Sequence, residues 1–149
     1  MSKSIEEQIR EGGFYVTTTV GVSMRPMLRD RRDRVVIRAT SPEALSKWDL
    51  PLYRAPDGSY LLHRIIGKTK DGRFVIRGDN TYHKEYVAPD QIIGVVTEFY
   101  RGNRKINADN KKYRRYAALW NAIYPLRKLC YLPILWWNRW RKRTHKNTI

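Results

Sequence analysis

The sequence predicts a mainly-β domain, a small antiparallel barrel or coiled sheet, preceded by a short helix and followed by a helical tail that is basic and aromatic. Three observations carry that expectation: a series of short β-branched and aromatic runs, glycine-bearing turn signals between them, and an abrupt change of charge near residue 101. A length of 149 residues suits one domain with a real core plus appendages.

The first element is a helix. Ser4 stands three residues before Glu7, apolar residues recur at Ile5 and Ile9, and Gly12-Gly13 follows, which is the pattern of a capped helix that stops at glycine. Residues Met1 to Gly13 are polar and contain no apolar core of a secretory signal or membrane anchor. Phe14 to Val20 is the first expected strand and Arg34 to Arg38 the second. Leu50 to Arg54, Tyr60 to Ile66, Arg73 to Arg77 and Gln91 to Phe99 follow, separated by Pro-Asp-Gly, Lys-Asp-Gly and Gly-Asp-Asn turns. The expected division is a helix over 1–13, the β domain over 14–101, and a tail over 102–149 that begins with a polar linker, Lys105 to Arg115.

The formal charge of +16 suggests an anionic partner, and its distribution locates that partner. Residues 1–100 hold 16 Lys/Arg against 13 Asp/Glu, whereas residues 101–149 hold 14 against 1. The first hundred residues therefore have the charge balance of an ordinary soluble domain. Cys130 is the single cysteine, which excludes an internal disulfide framework and a cysteine-rich zinc site, and it is expected as a packed thiol. His83 and His145 have no acidic or cysteine partners at ligand spacing, so no metal and no cofactor are expected.

The segment richest in chemistry is Gly21-Val22-Ser23-Met24-Arg25-Pro26-Met27-Leu28. A serine just after a strand and a glycine can present its hydroxyl at a sheet edge, and Pro26 stiffens the turn. Further on come Leu62-His63-Arg64-Ile65-Ile66 and Phe74-Val75-Ile76-Arg77-Gly78-Asp79-Asn80. Taken singly, His63 in a strand is an ordinary structural side chain, and Gly78-Asp79-Asn80 is an ordinary turn. Met24 and Met27 are expected as apolar filling of a cleft, and the arginines at 29, 31, 32 and 34 as a solvated face.

Together these segments resemble type I signal peptidases, whose wider superfamily includes self-cleaving repressors. Residues 21–28 are similar to the family's nucleophile box. Arg32-Asp33-Arg34-Val35-Val36-Ile37 is similar to its Gly-Asp-x-Val-x-Val strand, with Arg32 in place of glycine. Residues 62–66 resemble the box of the general base, and residues 78–80 the Gly-Asp-Asn box. The resemblance covers residues 14 to about 97 and, with histidine rather than lysine at the base position, points to the endoplasmic reticulum and archaeal type.

It implies a serine endopeptidase that cleaves a leader or signal-type polypeptide. Ser23 is then the nucleophile, His63 the general base and Asp79 the carboxylate that orients it. Glu85 stands where the histidine-type family has a second aspartate, with Asp90 further along. An imidazole of ordinary pKa about 6.5 can accept a serine proton at neutral pH. Gly21 offers no hydroxyl to an oxyanion site, so backbone donors, Ser23 N–H among them, must serve. The family's N-terminal anchor and large inserted β-region have no counterpart here, which points to a specialised processing enzyme or, in the alternative, a non-catalytic membrane-associated peptide-binding module.

In the tail, Ala117 to Leu126 and Leu129 to Trp137 are apolar runs split by Arg127-Lys128. A bilayer-crossing helix needs about 20 apolar residues, and burying the two cations mid-membrane would cost about 2.5–3.5 kcal/mol each. An interfacial element is expected instead, with Trp, Tyr and Leu at the headgroup boundary and cations, including Lys111 to Arg115 and Arg139 to Lys146, meeting an anionic membrane surface. Pro125 and Pro133 are expected to kink or divide any helix. Nucleic acid is the competing anionic partner, but no nucleic-acid motif is present and the apolar runs exceed what such a surface needs. A helix packed on a partner protein is the remaining alternative. The expected location is therefore a membrane, held peripherally or monotopically.

Overall fold

The computed structural model describes residues 4–144, with side chains through residue 137. Helix α1, Ile5–Gly12, carries the expected capping box: Ser4 Oγ accepts from Glu7 N–H at 3.2 Å and Glu7 Oε2 accepts from Ser4 N–H at 2.9 Å. Gly13, at φ 75°, ends it.

Nine strands follow among the described residues, in two curled antiparallel sheets. The larger sheet has the order β1 (Phe14–Thr18), β2 (Arg34–Arg38), β8 (Ile92–Arg101), β3 (Pro51–Arg54), β4 (Tyr60–Leu62), and β9 (Arg104–Asn107) also pairs with β8. The smaller sheet holds β5 (Arg64–Lys68), β6 (Phe74–Arg77) and β7 (Glu85–Val87). The mainly-β expectation holds, with its short N-terminal helix and a helical C-terminal end.

Bulges curl the large sheet. Val36 pairs with Glu98 but Ile37 pairs with Val96, so Thr97 is the extra residue on β8. The slip lets Val96 and Phe99, three apart, both enter the core, which a regular period of two forbids. That core packs Leu28, Val35, Ile37, Leu50 and Val96 with Phe99. A second core, Tyr53, Ile65, Phe74, Ile76 and Val87 with Leu45, joins the two sheets.

The expected strand Tyr60 to Ile66 is in fact two strands in different sheets. β4 pairs with β3 and β5 pairs with β6, and the chain changes partners at His63. Joining the sheets there buries His63 and Arg64 at the seam between them.

The tail also differs from expectation. The segment expected as a polar linker forms β9 and the start of helix α2, Lys111–Ala122, whose N-terminus Asn110 caps by accepting from Lys112 N–H and Tyr113 N–H. Tyr113 and Ala117 are buried against the sheet, so the packed unit extends past residue 101. Helix α3 runs Tyr124–Thr144 with Pro133 inside it. Pro125 sits in its first turn, where no N–H is needed, and Pro133 forgoes one backbone bond without dividing the helix. Cys130 is exposed rather than packed, because the helix face that bears it is not covered. The side chains of Arg139 to Lys146, and His145 altogether, lie outside the described residues. No helix among the described residues is long and apolar enough to cross a membrane.

Candidate active site

Ser23 lies in the turn that leaves β1. Gly21, at φ 102°, donates its N–H to Asp30 Oδ1 at 2.8 Å, and Leu28 N–H returns to Met24 O at 3.0 Å, so the turn is tied at both ends. The Arg25–Pro26 peptide bond is cis. Met24 and Leu28 are buried anchors beneath the loop.

His63 is 7 % exposed at the seam of the two sheets. Its Nε2 lies 3.1 Å from Ser23 Oγ, and its Nδ1 lies 3.0 Å from Glu85 Oε2 at the start of β7. An ionised carboxylate can only accept, so this contact puts the imidazole proton on Nδ1 and leaves Nε2 to accept from the serine hydroxyl.

Tyr53, on β3, completes the group and has no local sequence signal. Its hydroxyl donates to Glu85 Oε2 and lies 2.9 Å from His63 Nδ1. Burial, with the bond to Glu85 and its charge, pushes the phenol above its ordinary pKa and keeps it a donor. Burial also pushes the Glu85 carboxyl up, but hydrogen bonds from Tyr53 and His63 outweigh it, and its pKa falls below the ordinary value.

Asp79 does not orient His63. Its two oxygens take Arg64 Nε at 2.6 Å and Nη2 at 2.7 Å, and both side chains are sealed from water. Successive residues of an extended segment point to opposite faces, so Asp79, on the Arg64 side, cannot also reach His63. Arg64 further donates to Trp48 O and to Tyr113 Oη. The orienting position belongs geometrically to Glu85.

Residues 78–80 act on the site through the backbone. Asn80 N–H donates to Ser23 O at 2.7 Å and Asn80 Nδ2 to Val22 O at 3.2 Å. A Cβ on Gly78 would stand 2.8 Å from Ser23 O, so glycine permits the approach. The loop is held in turn by the C-terminal helices: Trp120 Nε1 and Arg127 Nη2 donate to Asp79 O at 2.9 and 2.6 Å, and Tyr82 stacks on Tyr131 with ring centroids 4.4 Å apart.

Ser23 and His63 open on a cleft of about 250 Å³ lined by Tyr15, Met24, Leu28, Leu52, Tyr60 and Leu62. Met27 is not part of it. Its sulfur lies beneath Arg64 and Tyr113, 2.9 Å from Arg64 Nη2 and 3.1 Å from Tyr113 Oη, because the turn directs Met24 and Met27 to different faces. Asp90 is exposed in a 3₁₀ turn apart from the group. Arg31, Arg32 and Arg34 are exposed, whereas Arg29 folds onto buried Asp33 at 2.7 Å. His83 lies 3.6 Å from Glu85 Oε1. Among the described residues no group of three or more His, Cys, Asp or Glu is placed to hold a metal ion. Neither a protein-family model nor a curated protein matches the sequence.

Proposed function

We propose that the protein is a serine endopeptidase of the signal peptidase type, cleaving a leader or signal-type peptide at a membrane surface. The observation that carries the proposal is the aligned series Ser23 Oγ, His63 Nε2, His63 Nδ1, Glu85 Oε2, with contacts of 3.1 and 3.0 Å across the ring. Nucleophile, base and orienting carboxylate are thereby within hydrogen-bond reach, which is the geometric requirement for acyl transfer.

In the proposed reaction Ser23 Oγ attacks the peptide carbonyl while His63 Nε2 takes its proton. Glu85 stabilises the imidazolium, Tyr53 fixes Glu85, and Ser23 N–H helps to hold the oxyanion. His63 passes the proton to the departing amine, leaving an acyl group on Ser23. Water then attacks the ester, His63 takes the water proton, and collapse returns it to Ser23 Oγ and releases the acid. The apolar cleft beside Ser23 suits an uncharged segment before the scissile bond, and the family resemblance adds a preference for small side chains there. Exposed Leu126, Leu129, Leu132, Trp136 and Trp137 on α3 support the membrane location.

The test is labelling by a serine-directed peptide probe of the full chain in lipid or detergent, with Ser23→Ala and His63→Ala beside wild type. Labelling of wild type that both substitutions abolish is expected. A folded wild type that stays unlabelled, while a known peptidase in the same assay is labelled, removes the enzymatic proposal and leaves a peptide-binding module.

A further inference from the structure

A cavity larger than the Ser23 cleft lies between the Pro26-Met27 turn, the β8–β9 hairpin and the first turn of α2. It measures about 880 Å³, and Arg101, Arg104, Lys105, Lys111 and Lys112 line it with no Asp or Glu among the lining residues. Arg101 is engaged with the carbonyls of Pro26 and Met27, and Lys105 reaches Glu98 at 3.1 Å. No ion pair among the described residues engages Arg104, Lys111 or Lys112. Three cations thus converge on one concave space without a countercharge, an arrangement that favours an anion.

An apolar hollow adjoins the cavity. Lys112 and Tyr116 line both, and beyond them a space of about 440 Å³ is lined by Arg115, Leu119, Trp120 and Ile123. Residues 112, 116, 119 and 123 share one face of α2, and Leu119 is 68 % and Ile123 44 % exposed on it. The Tyr116 hydroxyl, buried at the junction, has no hydrogen-bond partner.

We propose that the two hollows form a binding site for one anionic phospholipid, its phosphate-bearing headgroup among Arg104, Lys111 and Lys112 and an acyl chain along Leu119 and Ile123. A free phosphate would account for the cations but not for the apolar hollow that adjoins them. Nucleic acid would need open aromatic faces. Here the Trp120 ring is covered by Arg127, 3.9 Å from its centroid, and Tyr116 stacks on Trp120. The site rests on the membrane location proposed above but not on the peptidase chemistry, since none of its residues belongs to the Ser23 group.

Hydrogen exchange of the wild-type full chain is measured with vesicles of phosphatidylcholine, with and without phosphatidylglycerol, with inorganic phosphate alone, and with a single-stranded oligonucleotide. Phosphatidylglycerol vesicles are expected to protect the amides of residues 104–112 and 116–123 together with α3, and phosphatidylcholine vesicles to protect α3 alone. Protection of α3 without any lipid-dependent change at 104–112 overturns the headgroup site and spares the membrane location. Absence of protection anywhere overturns both. Equal protection of 104–112 by inorganic phosphate, or stronger protection by a single-stranded oligonucleotide, overturns the lipid assignment. In vesicle sedimentation, Arg104→Gln/Lys111→Gln/Lys112→Gln should lose about tenfold or more in affinity for anionic vesicles. The charge-matched Arg10→Gln/Arg32→Gln/Lys70→Gln should lose less than about threefold, and equal losses would show diffuse charge rather than a site.

Discussion

Arg64 and Asp79 form a bidentate ion pair, Nε to Oδ1 at 2.6 Å and Nη2 to Oδ2 at 2.7 Å, with essentially no exposed surface on either side chain. The planar guanidinium matches the carboxylate fork, and its remaining donors go to Trp48 O, Tyr113 Oη and Met27 Sδ. Removing one charge would leave the other buried without a partner, a change that costs about 3–5 kcal/mol. Asp79→Asn is therefore expected to lower the denaturation midpoint sharply, read by urea titration of the full chain. A midpoint close to that of wild type would show that the pair is dispensable.

Glu85 is the opposite case, a part-exposed carboxylate 3.0 Å from His63 Nδ1, to which the proposal gives the orienting role. Glu85→Gln can present an N–H to the ring and favour the wrong tautomer. The rate of probe labelling should fall by about 10²–10⁴-fold, while the denaturation midpoint moves far less than in Asp79→Asn. Labelling at the wild-type rate would return the orienting role to some other group.

Tyr53 donates one of the hydrogen bonds that lower the pKa of Glu85 against its burial. The carboxyl is held below its ordinary pKa of 4.5 in the folded protein. A depressed carboxyl pKa contributes stability that is complete above the unfolded value and is lost as pH falls through the folded value. Tyr53→Phe removes the hydroxyl donor and keeps the buried ring, so the carboxyl should titrate at higher pH. The stability that Glu85 contributes above its unfolded value should shrink, and its loss on acidification should be complete at a higher pH than in wild type. Carbon-13 NMR of the Glu85 carboxyl across acidic pH checks this, and a titration identical to wild type would deny the hydrogen bond any role.

These roles were unevenly legible in the sequence. Ser23, His63 and Gly78-Asp79-Asn80 stand in short contiguous segments whose chemistry is local, and the cap at Ser4 and stop at Gly13 are local too. Whether a carboxylate meets His63 or Arg64 depends on which side of the sheet seam it occupies, and residues one apart face opposite ways. That is why the sequence points to Asp79 before Glu85, whereas the fold sets Glu85 beside His63 and Asp79 on Arg64. β7 is three residues long, too short to show a period, and it is the strand that delivers Glu85. Tyr53 looks like any core aromatic until the second sheet is folded against it. The linker expected at residues 105–115 is polar because one face of β9 and α2 meets solvent, and its single buried side chain, Tyr113, gives little periodicity.

Gly78 joins its segment to the site through a close approach to the nucleophile turn. An added Cβ would lie 2.8 Å from Ser23 O and 3.0 Å from Thr81 Cγ2. Thr81 can rotate away, but Ser23 O belongs to the backbone and accepts from Asn80 N–H at 2.7 Å, so the nucleophile turn must move. Overpacking of this kind costs about 1–3 kcal/mol, which the fold should survive. A displacement near 1 Å between nucleophile and base costs about 10²-fold in rate. Gly78→Ala should thus remain folded by circular dichroism yet label at least about 10²-fold more slowly. Gly67→Ala, with nothing within 4 Å of the added atom, is the matched control and should label as wild type does. If the two variants label equally well, the close approach of residue 78 to Ser23 does not govern the reactivity of the serine.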